Sequence, residues 1–230
     1  MPPFLKETPW DKRNFGIDTY ELTSSTEEAL VQTDRIKGHF TLKVDPLQSS
    51  ESLLKHGFYY TDTMIEPECS REKLKYFDQE DISISNEGDL EEITNIAEEA
   101  FTHGRFHRDF NIPSSLADLR YANWVRDLYE KDLVFFMLFK GEMAAFYAYE
   151  NDKVLLIGVK KEFRQKGLTK YMVSKACHEQ LNLGGYSHLK TSISAANLPS
   201  LNLFHSLGFK LTRTIDVYHK LNGPAPGQGE

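Results

Sequence analysis

The chain has 230 residues and is 40% hydrophobic, enough apolar material for one or two compact domains with a real core. A formal net charge of −7 and a pI near 5.7 argue against nonspecific attraction to nucleic acid or to an anionic membrane, so any anion site has to be local. The start, MPPFLKETPWDKRNFG, is charged where a signal peptide has its apolar core, and no run approaches the roughly 18 apolar residues of a spanning helix.

The expected location is therefore cytoplasmic. Cys69 and Cys177 are far apart and lack CxxC or Cys/His spacing, so neither a zinc site nor a disulfide is expected, and the metal expectation is none. Cys177 is expected to pack in a helix.

In chain order, GHFTLKVDPLQSSESLLKHGFYYTDTMI predicts a β-rich run, a polar turn, a short amphipathic helix stopped by Gly57, and a second β-rich run. The same order returns in LKTSISAANLPSLNLFHSLGFKLTRTI when Gly57-Phe58 is laid on Gly208-Phe209. On that register Leu53 meets Phe204, Thr61 meets Thr212 and Thr63 meets Thr214. An internal duplication and a commonplace helix stop before a strand both account for the match. It divides the chain into an N-terminal α/β half, residues 1–76, and a second domain, residues 77–221. The ending NGPAPGQGE, residues 222–230, is Gly- and Pro-rich without an apolar partner and is expected to be a disordered tail.

The second domain opens with a strand at DISIS and a helix whose Leu90, Ile93, Ile96, Ala97 and Ala100 share one face, its acidic residues forming a solvated one. SSLADLRYANWVRDLYEK predicts a helix capped by Ser114 or Ser115, with Leu116, Leu119, Tyr121, Trp124, Val125 and Leu128 as its apolar set. LVFFMLFKGEMAAFYAYENDKVLLIGV reads as three strands joined by turns at KGE and END. A helix over Leu168 to Leu183, a strand over His188 to Ser194, a helix over Leu198 to Ser206 and a strand over Phe209 to Lys220 complete it. This is an α/β order with antiparallel hairpins in the middle and a parallel crossover after them.

Between the strand ending at Val159 and the next helix lies KKEFRQKG. The unsatisfied N–H groups and positive dipole end of a helix N-terminus make a local anion site. Gly167 would admit a diphosphate to the backbone, and Arg164, Gln165, Lys166 and Lys170 would add donors. From this window alone an ordinary surface turn with solvated charges is the favoured reading.

Arg164-x-x-Gly167-x-Thr169 after LLIGV, followed about thirty residues later by NLPSLNLFHSLGF, resembles the GCN5-related N-acetyltransferase (GNAT) superfamily. The resemblance covers Asp81 to Leu221. It implies an α/β GNAT fold: a mixed, mostly antiparallel sheet with flanking helices and a splayed parallel strand pair, here preceded by a smaller GNAT-like α/β half. It implies acetyl-CoA as co-substrate. Backbone groups of Ile157 and Val159 would pair with the pantetheine arm. The turn formed by Arg164, Gln165, Lys166, Gly167, Leu168 and Thr169 would take the pyrophosphate, and Asn197, Ser200 and Phe204 would line the thioester end. Thr169 replaces a smaller residue of the family pattern. Phe204 stands where the family commonly has the tyrosine that protonates the leaving thiolate.

WDKRNFG and GRFHRDFNIPSSLADLRYANWV are further similar to nucleotide-amino-sugar N-acetyltransferases, the group that includes dTDP-fucosamine acetyltransferase, through Trp10, Asp11, Phe15, Gly16, Arg105, Phe106, Asp109, Tyr121 and Trp124. This implies an acceptor amine on a dTDP- or UDP-linked sugar, with Arg105, Tyr121 and Trp124 as substrate-binding residues. Arg105 would grip a diphosphate oxygen, while Tyr121 and Trp124 would stack on a base or belong to the core.

Amide formation needs an uncharged amine held against the acyl carbon, an oxyanion donor and a path for protons. The loop THGRFHRDF offers His107 and Asp109 as catalytic candidates, with surface or hydrogen-bonding roles open to both. Tyr218 and His219 are second choices. The competing functions are acetylation of another small amine, peptide or antibiotic, or a noncatalytic acyl-CoA-binding module. No nucleic-acid or membrane partner is expected; a homodimer is compatible with the sequence.

Overall fold

The computed structural model describes residues 3–227, and the chain separates into two compact units that interleave in sequence. Unit 1 is Met1–Met64, His103–Arg120 and Thr214–Glu230; unit 2 is Ile65–Thr102 and Tyr121–Arg213.

Unit 1 runs β1 (Leu5–Glu7), α1 (Pro9–Phe15), β2 (Thr19–Leu22), α2 (Glu27–Arg35), β3 (Gly38–Val44) and α3 (Glu51–Lys55), then the start of β4 (Tyr59–Ser70). It is completed by the beginning of α5 (Ser114–Tyr129) and the end of β11 (Lys210–Asn222). Its strands lie in the order β1-β2-β3-β11-β4, with β2 and β3 parallel and β1–β2 and β3–β11 antiparallel. Pro9 starts α1, where its missing N–H is no loss, and Gly16, in the left-handed region, ends it with an N–H to the Lys12 carbonyl. Leu30 of α2, Phe40 and Leu42 of β3, and Leu53 and Phe58 around α3 form its core.

Unit 2 holds the rest of β4, then β5 (Ile82–Ser85), α4 (Leu90–Ala100), the remainder of α5, β6 (Val134–Phe139), β7 (Glu142–Glu150) and β8 (Lys153–Val159). After these come α6 (Thr169–Gly184), β9 (His188–Lys190), β10 (Ile193–Ser194) and α7 (Leu198–Ser206). The strand order is β4-β9-β8-β7-β6-β5, with β10 also on β4. Alternate residues of β6 and β7 serve two cores, as the two-residue period of a strand requires. Phe135, Met137 and Tyr147 join α6 and Phe209 on one face; Phe136, Phe146 and Ala148 join Ile93 and Val125 on the other. This is the α/β mixed sheet, with flanking helices and parallel pairs, that the sequence implied.

Most expected elements stand within a residue or two of the sequence reading, and α7 matches it at both ends. The strand expected over His188 to Ser194 is broken, since β9 stops at Lys190 and the Thr191 N–H turns to the Pro67 carbonyl. Ser114 is the first residue of α5 rather than a cap before it. Asp89, unnoticed in the sequence, caps α4 by accepting from the Glu91 N–H at 2.7 Å. Cys177 packs inside α6, and both cysteines are free and buried. Of the expected tail, Asn222 closes β11 and Pro226 is buried, while residues 228–230 lie outside the described residues. Among the described residues no helix is long and apolar enough to cross a membrane.

Candidate functional site

In unit 2, β8 is paired along one edge with antiparallel β7 from Lys153 to Val159, the register slipping at Leu155 between Ala148 and Tyr149. Along its other edge it meets β9 in parallel at Lys153↔Lys190, and β10 then pairs with β4 instead. The two strands therefore diverge beyond Lys153. The Lys160 N–H donates to the Ala144 carbonyl at 2.9 Å, so by the alternation of an antiparallel ladder Gly158 also faces β7. Ile157 and Val159 direct their peptide groups to the diverging side. Gly158 is fixed by packing: a β-carbon there would sit 2.2 Å from Cε1 of Phe146 and 2.8 Å from Cγ2 of Ile96.

The chain then makes a short 3-10 turn at Lys161–Phe163 and reaches α6. Gln165 (φ 60°) and Gly167 (φ 75°) both adopt the left-handed region, which curls successive N–H groups to one side. No side chain caps α6, leaving its leading N–H groups open to a ligand. Space is also open at Gly167, where a β-carbon would meet nothing within 4 Å; the requirement for glycine is conformational. The Arg164 Nε is turned back to the Val159 carbonyl at 2.9 Å. Gln165 and Lys166 are exposed, Leu168 is buried beneath the turn, and the Lys170 ammonium lies 4.1 Å from the centre of the Phe77 ring. Together these make a concentrated donor set in an acidic protein.

Asn197 caps α7, its Oδ1 accepting from the Ser200 N–H at 3.2 Å. Phe204 is a core residue, its ring edge-on to Phe209 at 4.8 Å. Tyr121 stacks on Phe101 at 4.5 Å and 17°, with Trp124 next to it at 6.3 Å, packed against the α4 core.

In unit 1 the two motifs separated by some ninety residues come together. Phe15 meets Phe106 at 4.9 Å, and the Arg120 Nε donates to Asp11 Oδ1 at 2.8 Å. The Arg120 guanidinium lies between aromatic rings, 4.4 Å from Trp10 and 4.5 Å from Phe106, with Arg105 also over Phe106 at 4.7 Å. His107 Nε2 bonds Asp118 Oδ1 at 2.8 Å.

Asp109 is 1% exposed and is a hub of this unit. Its Oδ2 accepts from His39 Nε2 at 2.8 Å and His219 Nδ1 at 2.7 Å, its Oδ1 from the Tyr59 hydroxyl at 2.8 Å and the Asn111 N–H at 2.9 Å. Burial alone would raise this carboxyl; the hydrogen bonds from His219 and His39 outweigh it and hold the group well below the usual carboxylate range. Burial pushes His219 down to about 3, with Asp109 opposing, and raises the Tyr59 phenol well above its ordinary value. An ionised carboxylate only accepts, so each imidazole nitrogen facing it carries the hydrogen. His219 is then neutral, and its Nε2 is a buried acceptor without a hydrogen-bond partner among the described residues. His39, Asp109 and His219 are also metal-binding residue types. Both nitrogens, however, stand at N–H···O distance from one oxygen, whereas a tetrahedral cation about 2.1 Å from each would spread them to about 3.4 Å.

The loop THGRFHRDF offers Asp109 no partner in sequence, His219 enters only as a second choice, and no motif marks His39 or Tyr59. A histidine within each of the β-rich runs GHFTLKV and KLTRTIDVYHKLN is the available signal. Gly158 carries no motif either.

A family model described as "Acetyltransferase (GNAT) family" matches residues 90–209, the span that contains the β8 edge, the turn and α7. The chain is similar in fold to a GCN5-related N-acetyltransferase from Sphaerobacter thermophilus (TM-score 0.63, 12% identity, 96% of this chain and 77% of that one). It is similar to a GCN5-related N-acetyltransferase from Kribbella flavida (0.57, 11%, 90% and 82%). A third is a tandem GNAT protein from the clavulanic acid biosynthesis pathway (0.53, 11%, 90% and 76%). No curated protein matches it.

Proposed function

Because the chain belongs to the acetyltransferase (GNAT) family and is an N-acetyltransferase, we propose that it acetylates the amino group of a sugar carried on a nucleoside diphosphate, dTDP or UDP, with acetyl-CoA as donor. Acetyl-CoA supplies a thioester acetyl group: the amine nitrogen bonds the acyl carbon, the carbon–sulfur bond breaks, and the proton lost by the amine is balanced by one gained at sulfur.

The observation that carries the donor half is the unpaired edge of β8 leading into a left-handed, uncapped turn. Ile157 and Val159 would hold the pantetheine amides as a further strand would, and the N–H groups from Gln165 to Thr169, with Lys170 beside them, would hold the diphosphate, the Arg164 N–H being taken by the Lys161 carbonyl at 3.3 Å. A backbone N–H on the same edge would bind the acyl oxygen. Phe204 has no proton to give, so the chain's contribution to rate is chiefly alignment, for which effective molarities correspond to about 7 to 11 kcal/mol.

The acceptor half rests on the gathering of Trp10, Asp11 and Phe15 with Arg105, Phe106 and Arg120 in unit 1. Arg105 is assigned to the acceptor's diphosphate. Asp109, saturated with hydrogen bonds, acts through the segment it fixes, and His107 is held in place by Asp118.

The test is coenzyme A release by the purified chain over a panel of dTDP- and UDP-amino sugars, polyamines and peptides. Turnover with a nucleotide amino sugar is expected, and Arg105→Ala should raise its KM at least tenfold while leaving that of acetyl-CoA unchanged. Turnover confined to polyamines or peptides would overturn the acceptor assignment.

A further inference from the structure

The match between Gly57-Phe58 and Gly208-Phe209, a displacement of 151 residues, extends to individual hydrogen bonds. After α3 the Phe58 N–H bonds the Leu53 carbonyl at 3.0 Å; after α7 the Phe209 N–H bonds the Phe204 carbonyl at 3.1 Å. Gly57 to Leu54 and Gly208 to His205 repeat at 3.0 Å each. The Thr61 hydroxyl donates to the Val217 carbonyl at 3.0 Å, and Thr212 donates to the Glu66 carbonyl at 2.7 Å, a reciprocal pair in which donors and acceptors exchange copies across the same 151 positions. Under this displacement β3 falls on β9 and β10, α3 on the end of α7, and β4 on β11. Residues 19–70 and 153–222 thus each form a strand–helix–strand–helix–strand series whose first two strands are parallel.

The cofactor features are what the two copies do not share. His39 corresponds to Lys190, so its partner Thr19 corresponds to Lys153. In unit 2 the pairing ends there; in unit 1 it continues through Tyr20↔Phe40, Glu21↔Thr41 and Leu22↔Leu42. The other edge of β2 is filled by β1, through Glu7↔Tyr20, Lys6↔Glu21 and Leu5↔Leu22. With both ladders complete, β2 has no peptide groups for a pantetheine arm. The connection is also short: α6 begins sixteen residues after Lys153, α2 only eight after Thr19, and the stretch between, TSST, contains no glycine. Glu27 and Glu28 fill the first turn of α2, so a phosphate there would meet two carboxylates, where α6 begins with Thr169 and Lys170.

We infer that unit 1 is a second copy of the cofactor-binding half in which the cofactor cleft is sealed, so that each chain binds one acetyl-CoA, in unit 2 alone. Unit 1 has turned the corresponding position to another use, since His39, the counterpart of Lys190, directs its Nε2 to Asp109 within unit 1. The inference rests on the donor-site reading above.

Calorimetric titration of the full chain with acetyl-CoA tests it. One equivalent is expected, with hydrogen-exchange protection on binding confined to residues 155–172 and none gained over residues 19–31. Gly167→Val is expected to weaken binding by at least a hundredfold. Two equivalents, or protection appearing over residues 19–31, would overturn the inference and leave the unit 2 site standing. No binding to the wild-type chain would instead overturn the donor-site reading and this inference with it. Because the exchange measurement uses the unaltered chain, a Gly167→Val protein that fails to fold does not affect the outcome.

Discussion

The Nε of Arg164 donates to the carbonyl oxygen of Val159 at 2.9 Å, so the residue that opens the turn is anchored to the last residue of the strand before it. A charge-assisted bond of this kind contributes about 1.5 to 3 kcal/mol when buried and less when half-exposed, as here. Arg164→Ala is expected to leave the fold intact and to weaken acetyl-CoA binding roughly tenfold, because the turn loses its tether and the site a cation. Arg164→Lys should recover little, since an ammonium lacks the planar fork that reaches the carbonyl. Affinities from calorimetry on folded proteins decide it; unchanged binding for Arg164→Ala would separate the arginine from the site.

Two glycines of the site are needed for different reasons, and alanine at each should show it. At Gly158 the added carbon would collide with Phe146, so overpacking should lower stability by about 1 to 3 kcal/mol. At Gly167 the space is open and the cost is that of φ 75° for an L-residue, about 1 to 2 kcal/mol. Urea unfolding is expected to rank Gly158→Ala as the more destabilised. The reverse ranking would mean that β8 and Phe146 repack without strain.

The Asp109 hub predicts how stability varies with acidity. His219 binds a proton below about 6.5 when unfolded but only below about 3 when folded, so between those values the unfolded chain carries the extra proton. The contribution is fully present above pH 6.5 and is lost as pH falls, at up to about 1.4 kcal/mol per pH unit. Asp109, held below the usual carboxylate range, acts in the same direction at still lower pH: its contribution is present above its unfolded value and lost as the folded group protonates. Unfolding free energies from pH 7 to 4 should fall steeply for the wild type and more gently for His219→Gln. Parallel slopes would show that His219 protonates in place.

The transferase half of the fold is legible because its signals are local. The hairpins of β6, β7 and β8 follow from β-rich runs cut by KGE and END, and α7 lies between its Asn197 cap and Gly208. Asp109 shows where legibility ends. Its nature as an acid in a polar loop was plain, but its partners stand 70 residues before it and 110 after it, and nothing short of the folded sheet brings His39 and His219 to one oxygen. Phe204 likewise occupies its motif position, yet whether an aromatic ring there faces a ligand or the core is set by its neighbour Phe209 across a turn. Gly158 looked like any strand residue, because crowding by Phe146 on the adjacent strand leaves no mark in the local pattern.

The interleaving of the units has a consequence for how the protein is made. A ribosome releases β1, β2 and β3 early, but the strand that pairs with β3 along its whole length, Gly38 to Val44, is β11, and that strand also carries His219. Residues from Thr214 onward, which unit 1 requires, emerge after all of unit 2 has been synthesised. Until β11 is made, β3 therefore waits with that edge unfilled. The half made first is finished last, and a nascent chain arrested before Thr214 would expose the strand most prone to pair with a stranger.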